Sequence, residues 1–343
     1  MAKKMKRGFG IQWHITNRCD QRCEHCYIYQ SDKTGDGWGR ELTLSECSRV
    51  LDNFLNFCLV MKCTPHITIT GGDPLLCDHF WELMSLLYEN GIPISLLGNP
   101  FHLDMNICSK LKEFGCRSYQ MSLDGLEATH DLIRKPGSYS ATLSKVPLLK
   151  GIGIRSTVMS TVSLVNYRDM PELTRIAVEH GVDALAFARY SPPDRDADNN
   201  IPPEEYRAFL ETMWLIYTEL ADQGTEFILK DHLWQLFLFE KGLLKIEPQQ
   251  MITDGCGCGV KHMAVLPDGS VYACRRFQSP IGNALTETFL DIFLGDKMNE
   301  YRNLDKMEGC SKCELLSYCR GCPAVAFGTF GNFYAKDPQC WKK

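Results

Sequence analysis

Residues 16–27 read Thr-Asn-Arg-Cys-Asp-Gln-Arg-Cys-Glu-His-Cys-Tyr, so Cys19, Cys23 and Cys26 form a C-x3-C-x2-C pattern directly after the apolar segment 11–15. Three thiolates on one short loop can bind three irons of a 4Fe-4S cluster and leave the fourth iron without a protein ligand. A cluster that only transfers electrons is usually closed by a fourth cysteine, whereas an open iron can bind a small molecule. The pattern therefore predicts a cluster that takes part in chemistry.

Two other interpretations of these cysteines are a zinc site and buried core thiols. Zinc prefers four ligands, usually in C-x2-C pairs, and His25 lies between two of the cysteines as a possible fourth ligand. The count of three regularly spaced thiols favours the iron–sulfur interpretation.

The triplet, together with the aromatic Tyr27 after its last cysteine, resembles the signature of the radical S-adenosylmethionine (SAM) enzymes. In that family the open iron binds the amino and carboxylate groups of SAM. Reductive cleavage of SAM then gives methionine and a 5'-deoxyadenosyl radical, which abstracts a hydrogen atom from the substrate. The resemblance implies SAM as a cofactor, Cys19, Cys23 and Cys26 as ligands of its cluster, and Tyr27 in the SAM site.

Length and charge narrow the function classes. The 343 residues fit a barrel-sized unit with a smaller appendage, and the net charge of -5 argues against nucleic acid as the main partner. The chain shows neither an export signal nor an uncharged run long enough to span a membrane. We therefore expect a cytoplasmic protein with no membrane partner, in which the 17 cysteines serve metal binding rather than disulfides.

Short β-rich runs alternate with longer amphipathic stretches from residue 10 to about 193, which is typical of β-α units around a parallel sheet. The predicted strands are residues 11–15, 66–70, 94–97, 118–123, 155–162 and 184–190, and the predicted helices are residues 45–61, 78–89, 105–114, 139–149 and 170–180. Six strands predict an α/β fold, an incomplete (β/α)6 TIM-type barrel whose open side admits a large substrate. Cys58 falls on the apolar face of the first helix and is predicted to be core.

The pattern divides the chain into three parts. Residues 1–193 form the predicted partial barrel, and residues 194–254 form a polar linker and a helical bridge, with a helix predicted at residues 204–223. Residues 255–343 are dense in cysteine and predict a second domain built around metal. No internal repeat is evident.

A glycine pair follows the second predicted strand in the run Thr70-Gly-Gly-Asp-Pro74. Two glycines permit close backbone approach, and an acidic side chain can accept a hydrogen bond from an ammonium group. The run resembles the Gly-Gly-Glu-Pro motif that binds the SAM amino group in the radical SAM family, with aspartate in place of glutamate. The resemblance implies that Gly71, Gly72, Asp73 and Pro74 belong to the SAM site.

A second run, Gln120-Met-Ser-Leu-Asp-Gly125, precedes an arginine at position 134. It resembles the Ser-Leu-Asp-Gly motif and downstream arginine of the peptide-modifying branch. The resemblance implies that Ser122 and Arg134 contact the SAM carboxylate and that Asp124 lies near the ribose or the substrate; alternatively, Arg134 is a surface partner of Asp131. Asn99 and Thr161 are placed at the barrel mouth, where ribose and adenine would lie.

Eight further cysteines have regular spacing near the C-terminus. Eight thiolates can ligate two 4Fe-4S clusters, and two structural zinc sites are the competing interpretation on ligand count. The spacing resembles the SPASM domain of radical SAM enzymes, which typically carries two auxiliary 4Fe-4S clusters and would bring the total to three. By that resemblance the first auxiliary cluster is held by Cys256, Cys258, Cys274 and Cys322, and the second by Cys310, Cys313, Cys319 and Cys340.

Two departures from the SPASM pattern affect this assignment. The usual C-x3-C near the end is C-x2-C here, and Gly257 alone separates Cys256 from Cys258, which is tight for two corners of one cluster. One hypothesis is therefore that one of this pair is not a ligand and that the first auxiliary cluster has an open iron.

The resemblance spans nearly the whole chain and implies a radical SAM enzyme that modifies a peptide. The first-choice function is a peptide maturase that forms a thioether or carbon–carbon crosslink. The alternatives are a formylglycine-generating sulfatase-maturing enzyme, a small-molecule dehydrogenase and an iron–sulfur electron-transfer protein. Arg275 and Arg276 stand where sulfatase-maturing enzymes carry an acidic base, which disfavours that alternative; they would attract an acidic peptide or simply lie at the surface.

The resemblance also implies partners. We expect a peptide or protein substrate and an external electron donor such as flavodoxin or ferredoxin. The first predicted strand begins at residue 11, too early for a precursor-binding module to precede it, so leader recognition is expected to use a separate protein or none.

Overall fold

The structure, a computed structural model, describes residues 8–30, 39–193, 197–247, 252 and 254–342. Parts of the predicted linker and bridge, residues 194–196, 248–251 and 253, lie outside the described residues. One ten-stranded sheet runs through the described part of the chain, in the order β10-β9-β8-β1-β2-β3-β4-β5-β6-β7. The strands are β1 Gly8–His14, β2 Thr64–Thr70, β3 Ile94–Leu97, β4 Cys116–Ser122, β5 Arg155–Val162, β6 Ala184–Arg189, β7 Glu226–Ile228, β8 His262–Val265, β9 Ser270–Tyr272 and β10 Pro280–Asn283.

Helices pack around this sheet and connect its parallel strands. They are α1 Tyr27–Gln30, α2 Leu44–Met61, α3 Phe80–Glu89, α4 Met105–Glu113, α5 Glu127–Ile133, α6 Ser138–Ile152, α7 Met170–Glu179, α8 Pro203–Glu219, α9 Trp234–Glu240, α10 Phe289–Leu294, α11 Asp296–Glu300 and α12 Pro323–Phe330. Short 3-10 turns cover Pro74–Leu76, Tyr167–Asp169 and Leu304–Lys306. The partial barrel of β-α units predicted from the sequence is confirmed.

Strands β1 to β6 pair in parallel in chain order, and each lies within two or three residues of its predicted position. The sheet extends beyond the six predicted strands at both edges. At one edge β7, from the predicted bridge, pairs in parallel with β6. At the other edge β8 pairs in parallel with β1 and carries the antiparallel strands β9 and β10. All three predicted parts of the chain therefore contribute to one sheet.

Alternation along the strands separates the core from the barrel interior. In β1, Ile11 and Trp13 are fully buried in the core, whereas Gln12 between them lines an interior cavity. In β4, Tyr119 and Met121 are buried in the same way and Gln120 lines the cavity. The apolar residues therefore hold the helices against the sheet, and polar residues face the inside of the barrel.

Helix α2 links the barrel to the C-terminal region. It begins with a capping box in which the Thr43 side chain accepts from the Glu46 backbone and the Glu46 side chain accepts from the Thr43 backbone. Its buried face includes Cys58, which confirms the prediction of a core thiol. From the same helix, Asn53 donates to the carbonyls of Ala284 and Glu287 at 3.1 and 2.9 Å.

Among the described residues, the helices are all too short or too polar to span a bilayer.

Candidate active site

A cavity of about 700 Å³ occupies the barrel interior and extends to the C-terminal region. Seven cysteines from both ends of the chain line it. From the predicted site residues, the cavity wall includes Cys19, Cys23, Cys26, Tyr27, Gly71, Gly72, Asn99, Ser122, Arg134, Thr161, Cys256, Cys258, Cys274 and Cys322. Asp73, Pro74 and Asp124 lie behind this wall, and Cys310, Cys313, Cys319 and Cys340 lie away from it.

The N-terminal cysteines lie on the loop between β1 and α1. Two of their sulfurs accept hydrogen bonds from side chains: Asn99 Nδ2 lies 3.8 Å from Cys19 Sγ, and Arg134 Nη1 lies 3.6 Å from Cys23 Sγ. Burial raises the pKa of the Cys19 thiol to about 12. Such a thiol stays protonated without metal, and donors to the sulfur stabilise the thiolate once a metal displaces the proton. The loop therefore fits a thiolate-ligated metal cluster.

The glycine pair packs against this cysteine loop. A Cβ on Gly71 would lie 2.2 Å from the Thr16 carbonyl oxygen, and a Cβ on Gly72 would lie 2.2 Å from the Arg18 carbonyl oxygen. The Gly72 amide donates to Thr16 O at 2.8 Å. Glycine is thus required here for close approach of two backbone segments, one of which carries the cysteines.

Asp73 is fully buried and caps the 3-10 turn that follows it. Its Oδ1 accepts from the Leu75 amide at 3.0 Å, whereas its Oδ2 is buried without a hydrogen-bond partner among the described residues. Burial raises the pKa of this carboxyl to about 6, although the Leu75 amide opposes the shift. An unsatisfied buried carboxylate oxygen costs stability unless a donor reaches it. The orphaned oxygen fits an ammonium group, although Asp73 itself does not reach the cavity wall.

Arg134 is held by a buried carboxylate. Its guanidinium forms an ion pair with Asp124, whose side chain is fully buried and whose Oδ1 also accepts from the Thr161 amide at 2.7 Å. Asp131 instead accepts from the backbone of the turn into α6. The alternative that Arg134 pairs with Asp131 is therefore wrong, and both Asp124 oxygens are already engaged, which leaves Asp124 to position Arg134.

His25, the possible zinc ligand, belongs to the same cluster of side chains. Its Nε2 lies 3.4 Å from Asp124 Oδ2 and 3.4 Å from Arg134 Nη2. Burial lowers the pKa of His25 to about 4, and Arg134 adds to that shift while Asp124 opposes it. The Nε2 atom is thus engaged by the buried ion pair.

The first C-terminal cysteine set faces the cavity. Arg276 Nη1 donates to Cys322 Sγ at 3.4 Å, and the His232 side chain lies beside the thiols of Cys256 and Cys322. Behind the set, the buried Arg320 guanidinium donates to the carbonyls of Cys256 and Cys258 at 2.8 and 2.5 Å. His232 and Arg320 were not predicted from the sequence; Arg320 stands between Cys319 and Cys322, whereas no predicted site residue is near His232 in the chain.

The second C-terminal set is a separate group of neighbours. Burial, together with the nearby Cys340 and Cys313, raises the pKa of the Cys310 thiol to about 12. Cys319 lies beside Cys340 and Cys310. Cys256, Cys258, Cys274 and Cys322 thus line the cavity, whereas Cys310, Cys313, Cys319 and Cys340 lie outside it, and the assignment of these two sets to two clusters stays a prediction.

Asp337 lies between the two sets. Its carboxylate receives two hydrogen bonds from Arg189, at 2.6 and 2.8 Å, and one from the Cys322 amide at 2.8 Å. Arg189 also donates to Asp231 at 2.8 Å. This buried network joins β6, the residues after β7 and the C-terminal region.

Comparison with known proteins assigns the family. Residues 13–177 match the radical SAM superfamily, and residues 256–323 match SPASM, an iron–sulfur cluster-binding domain. The chain is a radical SAM enzyme with a SPASM domain. It therefore binds SAM and iron–sulfur clusters, which excludes a simple electron carrier.

Relatives and solved structures extend this comparison. The AdoMet-dependent heme synthase of Methanosarcina barkeri (strain Fusaro / DSM 804) is 25% identical over 341 residues, which cover 96% of this chain and 95% of that protein. The mycofactocin maturase MftC of Mycobacterium ulcerans (strain Agy99) is 25% identical over 341 residues, which cover 96% of this chain and 87% of that protein. Streptococcus suis SuiB bound to S-adenosylmethionine has a similar fold, with a TM-score of 0.76 and 16% identity over 98% of this chain and 78% of SuiB. SuiB is also known bound to its precursor peptide SuiA.

Proposed function

We propose that this radical SAM enzyme is a peptide maturase that forms a thioether or carbon–carbon crosslink in a peptide substrate. The observation that carries the proposal is the shared cavity, since the N-terminal triplet and four SPASM cysteines line one space of about 700 Å³. That volume lies within the range of ligand sites. The likeness to MftC, named as a maturase, and to the fold of SuiB supports a peptide as the substrate.

In this proposal each group of residues binds a different part of the SAM cluster or of SAM. Cys19, Cys23 and Cys26 bind the SAM cluster, and Ser122 and Arg134 bind the SAM carboxylate, with Asp124 holding Arg134 in place. The run from Gly71 to Pro74 binds the SAM ammonium group, with Gly71 and Gly72 at the cavity wall and the buried Asp73 carboxylate behind them. Asn99, Thr161 and Tyr27 complete the pocket with Gly71, Gly72 and Pro74.

The SPASM cysteines hold two auxiliary clusters, in the sets given above. When bound, SAM and its cluster supply hydrogen-atom abstraction, and the auxiliary clusters accept one electron. Forming one crosslink would remove two hydrogens from the substrate, one as a hydrogen atom taken up by the 5'-deoxyadenosyl radical and one as a proton, and the auxiliary clusters would accept the remaining electron. Arg276 donates to a thiol of the cavity-facing set and places positive charge beside it, and His232 lies beside two of these thiols.

Co-expression with a candidate precursor peptide tests the proposal. The wild-type enzyme is expected to lower the peptide mass by two hydrogen atoms for each crosslink, and fragment mapping locates the bond. Cys23→Ala is expected to abolish both this change and 5'-deoxyadenosine formation. Cys63→Ala is the matched control, because Cys63 lies outside the cavity and its thiol donates to the Cys58 carbonyl. Unmodified peptide with 5'-deoxyadenosine still formed would contradict the crosslinking function.

Modification of a tetrapyrrole is a second candidate. It is supported by the similarity to the M. barkeri heme synthase, which extends over 95% of that protein. Incubation with an iron porphyrin that bears carboxylates, followed by mass spectrometry, tests it. The sulfatase-maturing alternative is disfavoured, because the residue after Cys274 is Arg275, whose guanidinium lies over the Tyr27 ring rather than acting as a base.

A further inference from the structure

Three cations on the cavity wall have no assigned role. Lys230 follows β7, Lys261 precedes β8 and Arg275 follows β9, and all three line the cavity. Within the described part of the chain, none of them forms an ion pair with a carboxylate. The cavity therefore holds positive charge that the protein itself does not neutralise.

Arg275 is the most constrained of the three. Its side chain is largely buried, with the residue 9% exposed, and its Nε is buried without a hydrogen-bond acceptor among the described residues. The guanidinium lies over the Tyr27 ring, with Cζ 4.8 Å from the ring centroid, and 5.9 Å from that of Tyr272. A buried guanidinium donor without an acceptor costs free energy, so the arrangement is complete only when a ligand supplies one. The two aromatic rings fix the plane of the guanidinium.

The acidic residues on the cavity wall do not supply that acceptor. Asp231 is engaged by Arg189, with 2.8 Å between Arg189 Nε and Asp231 Oδ2. Asp254 accepts from Gln235 Nε2 at 2.9 Å and from the Gly255 amide at 2.8 Å. Both carboxylates are therefore committed to other partners.

A competing explanation is that these cations only offset the negative charge of a thiolate-ligated cluster. Arg276 already has that position, because its Nη1 contacts Cys322 Sγ and its Nη2 contacts the Arg189 carbonyl. His232 contacts two of the thiols as well. Arg275 donates to no thiol among the described residues, so its charge is directed at the cavity and not at the cysteines.

We propose that Arg275, assisted by Lys230 and Lys261, binds a carboxylate of the substrate. This inference rests on the proposed function only because it takes the cavity as the site where the substrate binds. A planar guanidinium binds a carboxylate through two parallel hydrogen bonds, and the lysines add point charges. The carboxylate belongs either to an acidic side chain or C-terminus of a peptide or to a side chain of a tetrapyrrole, and both sources offer the same chemistry to Arg275.

Binding to the anaerobic, cluster-loaded enzyme with saturating SAM tests this. One arm uses a fluorescein-labelled peptide of alternating Gly and Asp and, as the form without carboxylates, the same peptide with Asn in place of Asp and an amidated C-terminus. The other arm uses coproporphyrin III and its tetraamide. The carboxylate form is expected to bind about tenfold or more tightly in at least one arm, and that arm identifies the source. Arg275→Gln is expected to abolish the preference and Arg275→Lys to retain part of it.

Lys297→Gln is the matched control, since Lys297 is an exposed cation on α11 outside the cavity, and the preference is expected to remain there. If the Arg275→Gln variant loses its iron, the Lys261→Gln variant is used in its place. This second variant is expected to show a reduced preference for the carboxylate form of the ligand. A preference equal in Arg275→Gln and wild type, absence of any preference in both arms, or weaker SAM binding in Arg275→Gln would overturn the inference. 5'-Deoxyadenosine and peptide mass, measured in parallel, report separately on the proposed function.

Discussion

Replacing Arg189 by methionine is expected to destabilise the protein strongly, because it leaves two buried carboxylates without their cation. The side chains of Arg189, Asp231 and Asp337 are 0%, 3% and 1% exposed. Burial by itself raises the pKa of Asp231, but Arg189, His232 and the Leu233 amide together hold this pKa below its usual value. Removing one partner of a buried ion pair typically costs about 3–5 kcal/mol. Asp337→Asn should cost less, about 1.5–3 kcal/mol, because Arg189 keeps its bond to Asp231.

Arg175→Met is the matched control for this comparison. Arg175 also binds a carboxylate through two hydrogen bonds, at 2.6 and 2.7 Å to Glu219, but these side chains are 37% and 56% exposed. An exposed pair contributes about 0–1 kcal/mol. The two arginines therefore make similar hydrogen bonds in different surroundings. The difference between the losses of stability in Arg189→Met and Arg175→Met thus measures the effect of burial.

Thermal unfolding of the cluster-loaded protein under anaerobic conditions measures the difference. The midpoint is expected to fall by roughly 5–15 °C in Arg189→Met and by less than about 3 °C in Arg175→Met. Iron content before heating shows whether the variants retain their clusters. Equal shifts in the two arginine variants would refute the reasoning that this network stabilises the junction of barrel, bridge and C-terminal region.

Three further predictions concern the cluster sites and the SAM pocket. Gly72→Ala is expected to lose iron from the N-terminal site because its Cβ would meet the Arg18 carbonyl at 2.2 Å, whereas Gly151→Ala, with nothing within 4 Å, should keep full iron content. Arg134→Lys is expected to raise the Kd for SAM roughly tenfold, since lysine cannot keep both the ion pair with Asp124 and a planar pair of donors. Equilibrium dialysis with the apo and the cluster-loaded protein measures this Kd. An unchanged Kd would show that Arg134 does not belong to the SAM site. Cys256→Ala and Cys258→Ala are both expected to lose the iron of the cavity-facing auxiliary cluster if all four cysteines of that set are ligands, and retention of this cluster in one variant would show that its thiol is spare.

The strands of the barrel were predictable because each is a short apolar run between longer amphipathic segments. β3 and β5 have the predicted bounds, and the apolar face of α2 was found from its spacing. The strand β7 was missed because it has three residues, none of them buried. The hairpin of β8 and β9 has an Asp-Gly turn at Asp268, a signal that was available in the sequence.

The site residues divide along similar lines. The cysteines were predictable because the ligands of one metal cluster occur at regular spacing and so form a recognisable sequence motif. Arg320 and Asp337 leave no such mark. Arg320 acts through its bonds to backbone carbonyls, and Asp337 acts through a residue that is 148 positions away in the chain. Residues whose role depends on a distant partner carry no local pattern, and so only the structure reveals them.

The edge of the sheet explains why cysteines from both ends of the chain reach one cavity. The loop after β1 carries the N-terminal cysteine triplet. β8 begins four residues after Cys258, and the backbone of Cys258 forms an isolated β-bridge with that of His262. The parallel register runs from Gly10 opposite His262 to Trp13 opposite Val265. Because a shift of one residue would turn every side chain of β8 to the other face, this register fixes the side of the sheet on which the SPASM cysteines lie. Electron transfer between the N-terminal cysteine triplet and the SPASM cysteines would thus depend on the pairing of β1 with β8. These two strands are separated by most of the chain.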